Sequence, residues 1–206
     1  MQEKGNGVMI SLEGKNAIVT GGGGGMGRCT ALTLAAAGAN LLVSDVNAEA
    51  AESVAREAVE QYGVKAVAIK CNVTVKSEVD AMVELAVKAF GRIDILNHVA
   101  GVFGAVDFMQ STEADYDKQM NINAKGTYLV DQAVLRIMIP NRAGKIVNMC
   151  SQAGKYGFHT NIAYTASKFA VAGMTQSIAQ YAAPYNINVN CVCPGVVRTN
   201  IWERAL

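Results

Sequence analysis

At 206 residues, about half of them apolar, the chain is long enough for one domain with a substantial buried core. A formal net charge of +1 offers no basic surface for nucleic acid, no apolar run approaches the roughly 18 residues of a membrane span, and residues 1–11 lack the apolar stretch of a secretory leader. The five cysteines are odd in number and scattered through apolar stretches, which fits reduced, buried thiols in a cytoplasmic protein better than a disulfide framework.

Residues 17–19 are a compact apolar run suited to a buried strand, and residues 26–37 carry strong helix formers closed by Gly38. Between them lies TGGGGGMG, residues 20–27, a strand-to-helix turn made of glycines. Such a turn lets a pyrophosphate approach the backbone, where unpaired N–H groups and the helix dipole favour negative charge. Gly21, Gly25 and Gly27 are the candidate contacts, with Met26 opening the helix. A second strand, residues 40–45, ends on Asp45, 18 positions beyond Gly27. That is close to the spacing at which a carboxylate accepts hydrogen bonds from an adenosine ribose. A 2′-phosphate would be repelled there, and Gly22, Gly23 and Gly24 supply no cation to hold one, so NAD(H) is preferred over NADP(H).

A helix over 48–62 leads to a third strand, 64–73, which ends in Cys71-Asn72-Val73-Thr74. A helix over 76–90 then leads to a fourth strand, 94–101, with a small-residue exit at Ala100-Gly101. This alternation predicts a doubly wound parallel sheet with helices on both faces and a ligand beyond the carboxyl ends of the strands. The glycine turn, Asp45, Asn72 and Ala100-Gly101 then share one edge. The next helix, 112–139, starts at a cap formed by Ser111 or Thr112 with Asp115, carries Asn123 in its middle and ends at Pro140. A fifth strand, 145–151, brings Ser151 to the ligand edge; a helix over 163–181 and a sixth strand, 188–193, run into Pro194-Gly195. Cys191-Val192-Cys193 resembles a metal motif only superficially, because zinc sites use wider spacing and more partners, so no metal is expected.

Tyr164 has a lysine four residues on, Lys168, which places both on one helix face. An ammonium beside a phenol favours the phenolate, drawing a pKa normally about 10 toward neutrality, where the group serves as general acid and base.

Taken together, these motifs resemble the short-chain dehydrogenase/reductase family over residues 12–199. The glycine turn matches its TGxxxGxG pattern at Thr20, Gly21, Gly25 and Gly27, and Tyr164-Thr165-Ala166-Ser167-Lys168 matches its Tyr-x-x-x-Lys. Ser151, Asn123 within residues 121–126, and residues 194–199 complete the set. The resemblance implies a single Rossmann-like domain that binds NAD and interconverts a small-molecule alcohol and ketone. Tyr164 would exchange a proton with the substrate oxygen while hydride moves to or from the nicotinamide. Lys168 would bind the nicotinamide ribose and lower the phenol's pKa, Ser151 would stabilise charge on the substrate oxygen, and Asn123 would hold a water relaying protons from Lys168. Ala100 and Gly101 would pass close to the adenosine and Val73 would border it, while Asn72, in place of the common Asp, would accept the adenine amino group. Pro194, Gly195 and Val197 would border the nicotinamide, with Thr199 on its carboxamide.

Polyol, acetoin, hydroxysteroid and 3-oxoacyl substrates all remain open. A homotetramer built on the helices 112–139 and 163–181 is implied. The family's usual Asn-Asn-Ala-Gly reads here as His98-Val99-Ala100-Gly101, and His98 is expected to be a hydrogen-bonded structural residue. The family also continues past the Pro-Gly segment with a lid and a last strand, whereas this sequence stops at Leu206. The lid is expected to begin at residues 201–203, facing a wall around Gln152, Ala153, Tyr156 and His159. A catalytically silent nucleotide-binding scaffold is the competing reading, and the intact Ser151, Tyr164 and Lys168 weigh against it.

Overall fold

The structure is a computed structural model that describes residues 10–197. Six strands form one sheet: β1 (Asn16–Thr20), β2 (Asn40–Asp45), β3 (Ala66–Lys70), β4 (Ile95–His98), β5 (Gly144–Met149) and β6 (Ile187–Val192). All pairings are parallel and the order is β3-β2-β1-β4-β5-β6. The helices are α1 (Gly25–Ala36), α2 (Ala48–Tyr62), α3 (Lys76–Phe90), α4 (Glu113–Gln119), α5 (Gly126–Asn141) and α6 (Ile162–Ala182). The expected doubly wound, Rossmann-like sheet is therefore present.

Side chains alternate across the sheet because the strand period is two. Ala17, Val19, Leu41 and Val43 pack with alanines of α1 and α2 in one core layer. Ile18, Leu42, Leu96, Ile146, Ile187 and Val189 pack with α3, α5 and α6 in the other. Each fully buried aliphatic side chain contributes roughly 1.5–3 kcal/mol. The chain runs from β1 outward to β2 and β3, then returns through α3 to β4 on the other side of β1. That reversal opens a crevice at the carboxyl ends of β1 and β4, where such sheets bind ligands.

Element boundaries differ from the sequence reading where side chains compete for backbone groups. Strand β3 is shorter than residues 64–73, because Asn72 Oδ1 accepts both the Thr74 N–H (3.0 Å) and the Thr74 hydroxyl (2.9 Å) and turns the chain. Strand β4 stops at His98, and the Thr20 hydroxyl then receives the N–H groups of Val99 and Ala100. Pro140 does not end α5. It lies in the last turn, and Arg142, with a left-handed φ of 48°, terminates the helix after Asn141.

The predicted helix over 112–139 exists, capped by Thr112 and Asp115 in a reciprocal box, but it is not uniform. Residues Met120–Lys125 between α4 and α5 wind as a π-helix. No helix among the described residues is long and apolar enough to cross a membrane.

Candidate active site

The glycine turn is fixed by contacts that no side chain would fit. Gly21 has φ +62°, and a Cβ there would lie 2.8 Å from the Ala100 backbone; at Gly27 it would lie 2.0 Å from the Gly21 carbonyl oxygen. Helix α1 begins after Gly24 with no side-chain cap and no acidic residue in its first turn, so its N–H groups and dipole are left to an anion. Asp45 closes the other side. Its Oδ2 accepts the Gly23 N–H and its Oδ1 the Asn47 N–H, both at 3.0 Å. Arg28 in the first turn of α1 is held by Glu57 at 2.6 Å, which takes it from any competing phosphate. The cradle therefore fits a dinucleotide with a free ribose diol.

Thr20 and His98 fasten the floor of this crevice. The Thr20 hydroxyl accepts two backbone N–H groups and so donates its own proton to His98 Nδ1, at 2.8 Å. Burial lowers the His98 pKa to about 3, with the Lys168 charge pushing the same way. His98 is thus a neutral structural residue, as its place in the strand implied.

Four side chains converge from β5, α6 and the π-helical turn. Ser151 follows β5 and caps the short 3₁₀ turn Gln152–Gly154 by accepting the Ala153 N–H at 3.1 Å. Its hydroxyl also bonds the Tyr164 phenol. Lys168 is only 5% exposed and donates from Nζ to the Met149 carbonyl at 2.8 Å. Asn123, buried in the π turn, clamps Val102 through bonds to its N–H (2.8 Å) and carbonyl (2.9 Å) and donates to Ser167 Oγ at 3.0 Å. A Cβ on Gly101 would come within 3.0 Å of Asn123 Oδ1 and 3.6 Å of Lys168 Nζ, so Gly101 lets these two groups close in.

One electrostatic expectation is corrected. Burial pushes the Tyr164 phenol above the ordinary tyrosine range, against the lowering effect of the Ser151 bond, with the nearby Cys150 thiol adding to the rise. Lys168 does not reverse this: its Nζ is 5.7 Å from the ring centroid and directed to Met149, and burial lowers its own pKa to about 8. The cost of desolvating a phenolate outweighs its attraction to an ammonium at that distance.

Ser151, Tyr164, Lys168, Met26, Gly101, Pro194, Gly195 and Val197 line a single cavity of about 330 Å³. The Val73 side chain is buried in the core against α3 and α5. The Asn72 amide oxygen accepts both the N–H and the hydroxyl of Thr74, so an adenine amino group would share or displace one of these bonds. Thr199 and residues 201–203 lie outside the described residues. Gln152 and Ala153 line the expected wall, but Tyr156 is half exposed, and the lining runs through Phe158, Thr160 and Asn161 in place of Tyr156 and His159. Sequence reading missed Phe103, whose ring meets Tyr164 edge-on at 4.9 Å. It lies in an aperiodic loop, where no pattern distinguishes a packed aromatic from an exposed one.

An α/β sheet that sets a phosphate cradle beside a buried proton-transfer pair is the framework of a dinucleotide-dependent enzyme. The chain belongs to the short-chain dehydrogenase family, whose sequence pattern, described as "short chain dehydrogenase", matches residues 15–205. It is 38% identical over 195 residues to 5-keto-D-gluconate 5-reductase of Escherichia coli strain K12, covering 95% of this chain and 76% of that protein. It is 39% identical over 195 residues to sorbitol dehydrogenase of Cereibacter sphaeroides, covering 94% of this chain and 75% of the relative. The crystal structure of NAD⁺-bound xylitol dehydrogenase superposes with a TM-score of 0.90 at 38% identity, covering 94% of this chain and 75% of that one.

Proposed function

We propose that this protein is an NAD(H)-dependent dehydrogenase that interconverts a compact secondary alcohol and its ketone in the cytoplasm. The observation that carries this reading is the convergence of Ser151, Tyr164 and Lys168 on one cavity at the sheet's switch point. Gly21, Gly27, the free start of α1 and Asp45 would hold the dinucleotide. The bound nicotinamide supplies a hydride acceptor or donor; the protein's own work is positioning and proton transfer. Tyr164 gives its phenolic proton to a carbonyl oxygen or takes one from a hydroxyl, and Ser151 donates a hydrogen bond to the same oxygen as charge develops. The raised phenol keeps its proton at neutral pH, which suits ketone reduction, while alcohol oxidation gains from alkaline conditions.

Phe103 and Phe158 give the substrate pocket apolar surface, and Gln152 and Asn161 offer contacts to a second oxygen. That combination suits a short diol or hydroxyketone, and the sugar-derived substrates named for the relatives point the same way. Tyr128 on α5 and Phe169 and Tyr181 on α6 are large and exposed, which supports a homotetramer joined through those helices. Light scattering should give about four times the chain mass; a monomer at micromolar concentration contradicts the assembly.

The activity is tested by following NAD⁺ reduction across polyols, acetoin, hydroxysteroids and hydroxyacyl compounds, with NADP⁺ in parallel and Tyr164→Phe as control. NAD⁺-preferring turnover on at least one small secondary alcohol, lost in the variant, is expected. NADH binding without turnover on any compound would support the silent-scaffold reading instead.

A further inference from the structure

The pairing of β5 with β6 assembles a cluster that transfers no proton or hydride in the dehydrogenase reaction, although one member, Cys150, also lines the catalytic cavity. Asn148 lies opposite Cys191 and Met149 opposite Val192, so Cys150 falls opposite Cys193, and its N–H bonds the Val192 carbonyl at 2.9 Å. Strand alternation then sends Cys191 and Cys193 to the same side of the sheet as Cys150, beneath α6. The three sulfurs lie within 4.8 Å of one another. Cys150 is buried, while Cys191 and Cys193 keep partial access to solvent.

We propose that Cys150, Cys191 and Cys193 form a three-thiolate site for a thiophilic d¹⁰ divalent cation, zinc or its softer congener cadmium. Zinc–sulfur bonds of about 2.3 Å place tetrahedral sulfurs roughly 3.8 Å apart, so the cluster needs to contract by at most about 1 Å to close on an ion. The fourth position is open to water or to the Thr175 hydroxyl, which bonds Cys191. Short-range spacing concealed the site: Cys191 and Cys193 are too few by themselves, and Cys150 joins them only through the strand register.

One divalent cation and three thiols yield an anionic metal–trithiolate and three protons. The Lys168 ammonium interacts favourably with thiolates at Cys150 and Cys193 and offsets the net negative charge. The site is coupled to the catalytic residues through the backbone. Cys150 precedes Ser151, its Sγ–H donates to the Lys168 carbonyl at 3.3 Å, and Cys193 precedes Pro194. Metal binding removes that thiol proton and with it the hydrogen bond.

The test uses the reduced full chain, freed of metal by a chelator and titrated with Cd²⁺ while the ultraviolet thiolate-to-metal band and proton release are followed. One cadmium per chain and about three protons per cadmium at pH 7 are expected. Alkylation and peptide mass mapping of the loaded native protein should show Cys150, Cys191 and Cys193 protected and Cys29 modified. Cys191→Ala/Cys193→Ala should lower cadmium affinity at least 100-fold, with melting curves checking that it folds, while Cys29→Ser binds normally. No cadmium uptake by the native chain overturns the proposal. So does uptake that protects other cysteines or persists in a folded double variant; the mapping decides the matter if the variant does not fold.

Discussion

Lys168 shows how much a catalytic residue can work against the fold that holds it. Its pKa falls from 10.5 to about 8 because burial disfavours the ammonium, a shift on the order of 3 kcal/mol. A lowered lysine pKa penalises the folded state below about pH 8, and the penalty fades as pH rises toward 10.5, where the unfolded chain also loses its proton. Lys168→Met removes the penalty and forfeits the bond to Met149, about 1 kcal/mol. At pH 7 turnover should fall at least about 100-fold, yet thermal melts should show Tm higher by roughly 4–8 °C; an unchanged or lower Tm would mean that the charge is already compensated. Asp131 carries the opposite sign. It is fully buried, its Oδ2 accepts from Asn148 Nδ2 at 2.8 Å, and burial raises its pKa from 3.8 to about 7. Asp131 Oδ1 and Asn148 Oδ1 have no other partner, and a retained carboxyl proton supplies the donor they lack. The folded chain therefore binds the extra proton between about pH 4 and pH 7, and stability is lost across that window as pH rises. Asp131→Asn should raise Tm by several degrees at pH 8 and by little at pH 4. The spacing drew attention to Tyr164 and Lys168, and the motifs around them made the pair legible. The direction of the phenol's shift was not legible, because it depends on burial and on a lysine turned toward Met149.

Among the elements, the glycine turn and the strands of the first half were readable because each requirement is local. Gly27 is needed by a contact inside its own turn and Gly21 by the turn's left-handed φ, with the Ala100 backbone closing on it as well, and β1 and β2 are short apolar runs between helix signals. The lapses fall where a side chain takes a backbone group, from two residues away as Asn72 does after β3 or from another strand as Thr20 does at the end of β4. The turn also yields a paired prediction. Gly27→Ala places a methyl 2.0 Å from the Gly21 oxygen and should weaken NADH binding at least about tenfold in a fluorescence titration, with a stability loss of roughly 1–3 kcal/mol. Gly24→Ala meets nothing within 4 Å and should bind normally; equal losses in the two variants would remove the cradle from the binding argument.

At the scale of the molecule, the residues of the cavity come from the carboxyl ends of the strands and beyond, or from α1, α6 and the 101–105 loop, and that edge was foreseeable from the alternation of strands and helices. The cavity wall was not foreseeable, because residues 101–111 and 155–161 carry no period from which to read a facing direction. Nor was the irregular winding at Met120–Lys125, which sets Asn123 between Val102 and Ser167. A π turn arises when a helix gains one residue while both of its ends stay anchored. The rod from Glu113 to Asn141 is thus one residue longer than regular winding would require, and the surplus sits where the site needs an amide. Deleting a single residue from Asn121 or Ile122 should restore even winding and preserve the sheet. It should also swing residue 123 by about 100° and uncouple catalysis from folding, seen as a near-native melt with little turnover. Its placement depends on how many residues the rod contains as well as on which they are, so a survey of substitutions alone would overlook half of what holds it.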